Sequence, residues 1–322
     1  MTDEDAQHTD APDGTGEKAP GATAALAADA PAAPLGAATA ASQGAASADP
    51  GTPAPGTTHA ARKPARTASA KPTAPKRPKT LCIDVGGTGL KASVVDAGGK
   101  LVADRVRVPT TYPCPPERLV EMLTALVAPL PGYERVAVGF PGVVRRGVVL
   151  SAPHFVTAKG PGSNIVPKLE TAWHNFALAD AMSSSLGKPV RTANDADLQG
   201  LEVASGEGLE LVVTLGTGVG TALLIGGRLA PHLELAHHPF RKGGTYNDQL
   251  GDAALRRIGP KKWRRRVDEA IANFESLFNY DRLFVGGGNA RHLKGHVGAD
   301  VTLVDNVAGI LGGLRLWEID PL

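Results

Sequence analysis

Leu81-Cys82-Ile83-Asp84-Val85-Gly86-Gly87-Thr88-Gly89-Leu90-Lys91 is the stretch on which the fold turns. Leu81 to Val85 reads as a short buried strand, closed by Gly86-Gly87. Leu90 to Asp96 alternates as a second strand, Gly98-Gly99 turns the chain, and Leu101 to Val108 supplies a third. Successive glycines let backbone N–H groups approach phosphate oxygens with no Cβ in the way. A plain hairpin turn explains the glycines, but not the Asp before them or the Thr and Lys after. Asp84, Gly86, Gly87, Thr88, Gly89 and Lys91 are therefore candidate phosphate-binding residues, with Asp84 placed to hold Mg²⁺ through water.

Downstream, Pro116 starts a helix over Glu117 to Ala128, with Leu119, Val120, Leu123, Leu126 and Val127 at helical spacing. Val136 to Phe140 is a buried strand closed by Pro141-Gly142. Residues 151–167, rich in Pro, Gly and Ser, read as a surface loop of the kind that carries function. A helix over Ala172 to Leu186 ends at Gly187, and the strand Val190–Ala193 follows.

The same grammar then repeats. Strand Leu211–Leu215, a glycine turn at 216–220, strand Thr221–Ile225, a hairpin at Gly226-Gly227 and strand Arg228–Leu235 copy the first half. Helices are expected at about 247–258 and 261–277, then strand Leu283–Val285 into Gly286-Gly287-Gly288. A last helix, about 306–317, follows a cap at Asn306. A duplicated set of antiparallel strands followed by helices is not the strand–helix–strand alternation of a Rossmann sheet. It predicts a two-lobed α/β ATPase fold of the actin, hexokinase and Hsp70 type, with duplicated RNase H-like lobes facing across a cleft. The lobes are expected at 80–193 and 194–322, the last helix packing back on the first lobe.

The second turn brings Thr214, Gly216, Thr217, Gly218 and Gly220 as phosphate candidates; alone, such a turn fits any tight hairpin. Gly286, Gly287 and Gly288 suit close passage of backbone by a nucleotide, or simply a strand-to-helix turn. No Walker A loop is present. Asn194-Asp195-Ala196-Asp197 follows a strand and opens a helix. Asp195 is the candidate general base; Asp195 or Asp197 could equally serve as the helix N-cap. Glu234 and His237 can converge on the hydroxyls of one sugar ring, and a surface histidine pair at 237–238 is the plainer alternative. No HExxH or thiolate set accompanies them.

Residues 1–79 differ in kind. Ala, Pro, Thr, Gly and Ser dominate, no aromatic occurs, and Val, Ile and Leu are nearly missing, which predicts a disordered tail. Its basic end, from Arg62 to Lys79, reads as a linker or as a polyanion tether. No signal peptide, membrane span or CxxC pair is evident, so cytoplasm is the expected compartment. A net charge of +2 names no partner by itself.

Together these motifs resemble the ROK family (repressors, open reading frames and kinases), in order, across essentially all of 80–322. Asp84–Lys91 is similar to the family's first phosphate motif, Gly139-Phe140-Pro141-Gly142 to its GxPG, and Leu215–Gly220 to its second phosphate loop. Asn194 and Asp195 resemble its sugar-binding Asn and catalytic Asp, Glu234 and His237 its ExGH pair, and Gly286–Gly288 its adenosine segment. Ala236 replaces the glycine of ExGH. The zinc cysteines of many family glucokinases are missing, a trait shared with the family's polyphosphate glucokinases, so no zinc is expected.

The resemblance implies phosphorylation of glucose or a close hexose at the 6-hydroxyl, using Mg²⁺ with ATP, polyphosphate or both. Asp195 would take the proton while Asn194, Glu234 and His237 hold the ring. Other sugars, such as fructose, mannose or an amino sugar, remain open, as does a non-catalytic sugar-responsive regulator. Family regulators carry a helix-turn-helix that residues 1–79 do not offer. A homodimer is expected, and nucleic acid is not. Between 241 and 266, nine Lys/Arg face two Asp, a stripe suited to polyphosphate or to a solvated helix face.

Overall fold

The computed structural model describes residues 78–304 and 309–319. The expected disordered tail, up to residue 77, and the expected cap at Asn306 lie outside the described residues. The first half runs β1 Thr80–Val85, β2 Gly89–Val95, β3 Val106–Pro109, α1 Pro116–Val127, β4 Arg135–Phe140, β5 Val144–Arg145 and β6 Val148–Val149. Then come α2 Pro167–Trp173, α3 Leu178–Leu186 and β7 Val190–Asn194. The second half runs α4 Asp195–Val203, β8 Leu209–Leu215, β9 Val219–Ile225, β10 Arg228–Leu229, β11 Pro239–Arg241 and β12 Gly244–Thr245. It ends with α5 Tyr246–Leu250, α6 Asp252–Phe278, β13 Arg282–Gly286, β14 Val301–Leu303 and α7 Ile310–Arg315.

Two five-stranded sheets result, ordered β3-β2-β1-β4-β7 and β10-β9-β8-β13-β14. In each, the first three strands of the repeat are antiparallel and the remaining two join in parallel. Period-two alternation assigns the faces. Leu81, Ile83 and Val85 pack with Leu119 and Leu123 of α1, Trp173 of α2 and Met182 of α3. Leu211, Val213 and Leu215 pack on Trp263, Val267 and Phe274 of α6. Fully burying each such side chain contributes roughly 1.5–3 kcal/mol.

The opposite faces meet a shared inner layer. Ala137 and Ala193 of the first sheet and Val212, Ala222 and Phe284 of the second all join Leu198 and Leu201 of α4. Helix α7 lies against α4 and also touches β1 and β4. Its fit depends on glycine: a Cβ on Gly313 would stand 2.7 Å from Cys82 Sγ, and one on Gly312 would enter the Leu198 carbonyl. Arg191 of β7 then holds the chain beyond α7, donating to the Leu316 and Ile319 carbonyls at 2.7 Å, with its guanidinium 4.7 Å from the Trp317 ring.

Several boundaries differ from the sequence reading. The third strand is shorter: Leu101 makes one bridge to Val95, and pairing resumes only at Val106. The helix expected at 172–186 is two, because Asn175 sits in the left-handed region at φ 59°. Gly251 is extended and separates α5 from α6, while Gly259 (φ 75°) and Pro260 break α6 internally. Pro231 follows β10 closely, so the strand expected to reach Leu235 stops at Leu229, and a 3₁₀ turn occupies Leu235–His237. The 151–167 loop is no mere surface loop, since Phe155, Val156 and Thr157 are buried. Strand β14 was not foreseen. Among the described residues, no helix is long and apolar enough to cross a membrane.

Gly312→Ala is expected to lower stability by roughly 1–3 kcal/mol, since the added Cβ forces α7 off α4. Thermal unfolding reads this as roughly 2–4 °C per kcal/mol. Gly132→Ala, whose Cβ would meet nothing within 4 Å, should leave the midpoint nearly unchanged.

Candidate active site

A cleft of about 680 Å³ opens between the two sheets. The β1–β2 turn lines it through Asp84, Gly86, Gly87, Thr88, Gly89 and Lys91, and the β8–β9 turn through Thr214, Gly216, Thr217, Gly218 and Gly220. Asn194, Asp195, Glu234, His237, Gly287 and Gly288 line it as well. Gly286 does not. It ends β13 opposite Thr214, and a Cβ there would stand 2.8 Å from Val304 Cγ2. That glycine serves strand packing rather than the cleft, which corrects its place among the candidates.

The first turn is anchored through its carbonyls. Thr110 Oγ1 donates to the Gly86 carbonyl at 2.6 Å and the Tyr112 hydroxyl to the Gly87 carbonyl at 2.8 Å. Strand register aligns Asp84, Lys91 and Arg107 in one row across β1, β2 and β3. Lys91 Nζ donates to Asp84 Oδ2 at 2.8 Å, and Arg107 also lines the cleft. The second turn is held from within its own lobe: Val219 N–H donates to Asn247 Oδ1, and Asp252 N–H and Asn289 Nδ2 donate to the Gly216 carbonyl.

Asp195 begins α4 at the cleft, half-buried. The N-cap is Asn194, not either aspartate: its Oδ1 accepts from the Ala196 and Asp197 N–H groups at 2.7 and 3.4 Å. Asn194 Nδ2 donates to the Gly142 carbonyl at 3.0 Å, so this side chain is committed to the backbone on both sides and has one amide hydrogen left. Burial pushes the Asp195 carboxyl up to about 7, the charge of Asp84 adds to the rise, and the Ala196 N–H works against it. A carboxylate so tuned can accept a proton near neutral pH.

Three histidines approach the same space. His237 was expected from sequence; His154 and His232 were not. His154, from the 151–167 loop, lines the cleft beside Gly87, and burial pulls its imidazole below the usual range, with the charge of His237 adding to the fall. His232 lies between Asp197 and Glu234. Arg107 was also missed, although its register opposite Lys91 is the signal that finds it. His232 stands two residues before Glu234, a spacing that shares a face in extended chain.

The ROK family model matches residues 80–232. The crystal structure of an inorganic polyphosphate/ATP-glucomannokinase from Arthrobacter sp. strain KM is 31% identical, superposes with a TM-score of 0.62, and spans 74% of this chain and 98% of its own. The chain belongs to the ROK family. Within it, this chain is a sugar kinase, and its fold is the two-lobed actin/hexokinase-like ATPase fold. A polyphosphate glucokinase of Mycobacterium tuberculosis is 27% identical over 248 residues, covering 71% of this chain and 88% of the relative. An N-acetylmannosamine kinase of Escherichia coli is 35% identical over 159 residues, 47% of this chain and 48% of the relative.

The raised Asp195 carboxyl has a stability consequence. Between its ordinary value near 4 and about 7, the folded chain keeps a proton that the unfolded chain has lost, so stability falls as pH rises through that window. Asp195→Asn removes the buried charge. It should raise the thermal midpoint above the parent's at pH 8 and leave the two nearly equal at pH 4, measured by calorimetry.

Proposed function

We propose that this protein phosphorylates glucose, or a close epimer, at the 6-hydroxyl, with polyphosphate or ATP as donor. The observation that carries the reading is the position of Asp195: a half-buried carboxyl, tuned to about 7, on the floor of a cleft walled by two glycine turns. In this account the sugar lies against Glu234, His237 and the remaining Asn194 amide hydrogen. The Asp195 carboxylate accepts the 6-hydroxyl proton as that oxygen bonds to the terminal phosphorus. The bond from phosphorus to the bridging oxygen breaks, and the electron pair leaves with ADP or the shortened polyphosphate. Phosphoryl transfer of this kind depends on positioning and charge neutralisation, which the Gly86–Gly89 and Gly216–Gly220 N–H groups, Lys91 and Arg107 would supply.

Mg²⁺ fits the residues present. Asp84 is partly exposed, 40% at its side chain, and stands close enough to Asp195 to raise that carboxyl. Among the described residues, no group of three or more His, Cys, Asp or Glu is arranged as a metal cage. One or two carboxylates with donor phosphates and water is the usual Mg²⁺ environment. Asp84 would hold the ion through water, and the ion would neutralise donor oxygens.

Polyphosphate use is supported by the basic stripe. The Asp252 N–H bond to the Gly216 carbonyl places the start of α6 against the second glycine turn. Further along, Arg257 and Arg266 donate to the Asp248 and Gln249 carbonyls while Arg241 pairs with Glu269. Burial and the charges of Arg241 and Arg257 hold the Arg266 guanidinium below its usual range, so three cations gather here with Glu269 and Asp248 beside them. A homodimeric state and a cytoplasmic setting belong to the same proposal.

A coupled assay of the full chain with glucose tests the reading. Sugar phosphate should form with polyphosphate or ATP, with kcat/KM rising with pH up to about 7 and then levelling. Asp195→Asn should lose roughly 10²–10⁴-fold in kcat. Salt should raise the polyphosphate KM more steeply than the glucose KM. No turnover with either donor, or an unimpaired Asp195→Asn, overturns the proposal.

A further inference from the structure

We propose that His232 is a positioning residue of the sugar site, clamped between Asp197 and Glu234 so that it aims the Glu234 carboxylate into the cleft. This rests on the reading of Glu234 as a sugar ligand. His232 Nδ1 stands 3.0 Å from Asp197 Oδ1, and its Nε2 stands 3.6 Å from Glu234 Oε2, an ion-pair distance slightly too long for a direct hydrogen bond. Asp197 and His232 are closed off, with side chains 5% and 3% exposed, whereas Glu234 is 29% exposed. The row therefore runs from the interior outward and ends at the cleft.

Each end is fixed. Asp197 is the third residue of α4, and its N–H is capped by Asn194, so the helix that presents Asp195 also presents Asp197. The 230–234 segment is tied to β9, where Thr221 Oγ1 donates to the Leu233 carbonyl at 3.1 Å. An acceptor at Nδ1 places that proton on Asp197's side, and the second ring N–H then points at Glu234. Without the imidazole, two carboxylates would face each other across a buried gap. Burial disfavours the His232 cation, but its bond to Asp197 and the charges of Asp197 and Glu234 outweigh it and push the imidazole up to about 10. Burial also works against the Glu234 charge; its contacts with His232, then the charges of His237 and His154, hold it below the usual range and so keep it an acceptor. The His232 charge reaches the Asp195 carboxyl only as the weakest of several influences, so its main effect should fall on sugar affinity.

The test is a double-mutant cycle on the full chain with His232→Gln, Glu234→Gln and the double variant. Glucose KM, donor KM and kcat are measured, and glucose affinity is read by calorimetry. His232→Gln should raise the glucose KM about tenfold while kcat and donor KM stay within about twofold. In the Glu234→Gln background it should add almost nothing. Fully multiplicative effects, or equal losses in donor KM and kcat, overturn the positioning role. An unchanged glucose KM in Glu234→Gln overturns the sugar-ligand reading itself, and the role of His232 with it. Should His232→Gln fail to fold, Asp197→Asn approaches from the other end. It should also raise the glucose KM selectively, and an unaltered KM counts against the proposal.

Discussion

Everything in this molecule is arranged around keeping one charged carboxylate, Asp195, half-buried where two sheets meet. Burial and the neighbouring Asp84 oppose its ionisation, while the Ala196 N–H and the positive end of α4 favour it. Small residues supply the room in which the acid sits. A Cβ on Gly139 of β4 would stand 3.5 Å from Asp195 Cα and 3.0 Å from Leu198 Cδ1; one on Gly220 would stand 2.8 Å from Ala196 Cβ. The glycines of the second turn thus line the cleft on one side and admit the acid's own helix on the other.

The same constraint explains the inner layer. Helices α4 and α7 lie between the sheets, and alanines and glycines on both sides bring backbone close to backbone. Arg315 of α7 donates to the Leu201 and Ala204 carbonyls at the end of α4, and Arg191 holds the chain after α7 to the first sheet. Movement of one sheet against the other would pass through this layer, so the acid stays in register with both glycine turns. The row Asp197–His232–Glu234 extends the arrangement sideways, linking the acid's helix to Glu234 at the cleft wall.

Much of this was legible in the chain, for identifiable reasons. The β1–β2 and β8–β9 hairpins announce themselves because buried strands alternate and end on glycines flanked by Asp, Thr and Lys. The duplication follows from them. Gly286 misled because three glycines in a row read as one loop, while the first completes β13 against Val304, beside a strand of three residues that carries no signal of its own. Asn194-Asp195-Ala196-Asp197 offers three possible caps, and only the backbone direction selects Asn194. His232 and Arg107 depend on which residues face each other across strands, and Pro231 hid the first of these by ending its strand early.

The central claim is best tested by carboxyl ¹³C NMR of the aspartate-labelled chain across pH, with Asp195→Asn used to assign the signal. The account predicts one resonance that titrates near pH 7, vanishes in the variant, and moves to higher pH when Asp84 gains no cation and donor phosphate enters the cleft. An Asp195 resonance titrating near 4, like an ordinary solvent-exposed aspartate, would contradict it.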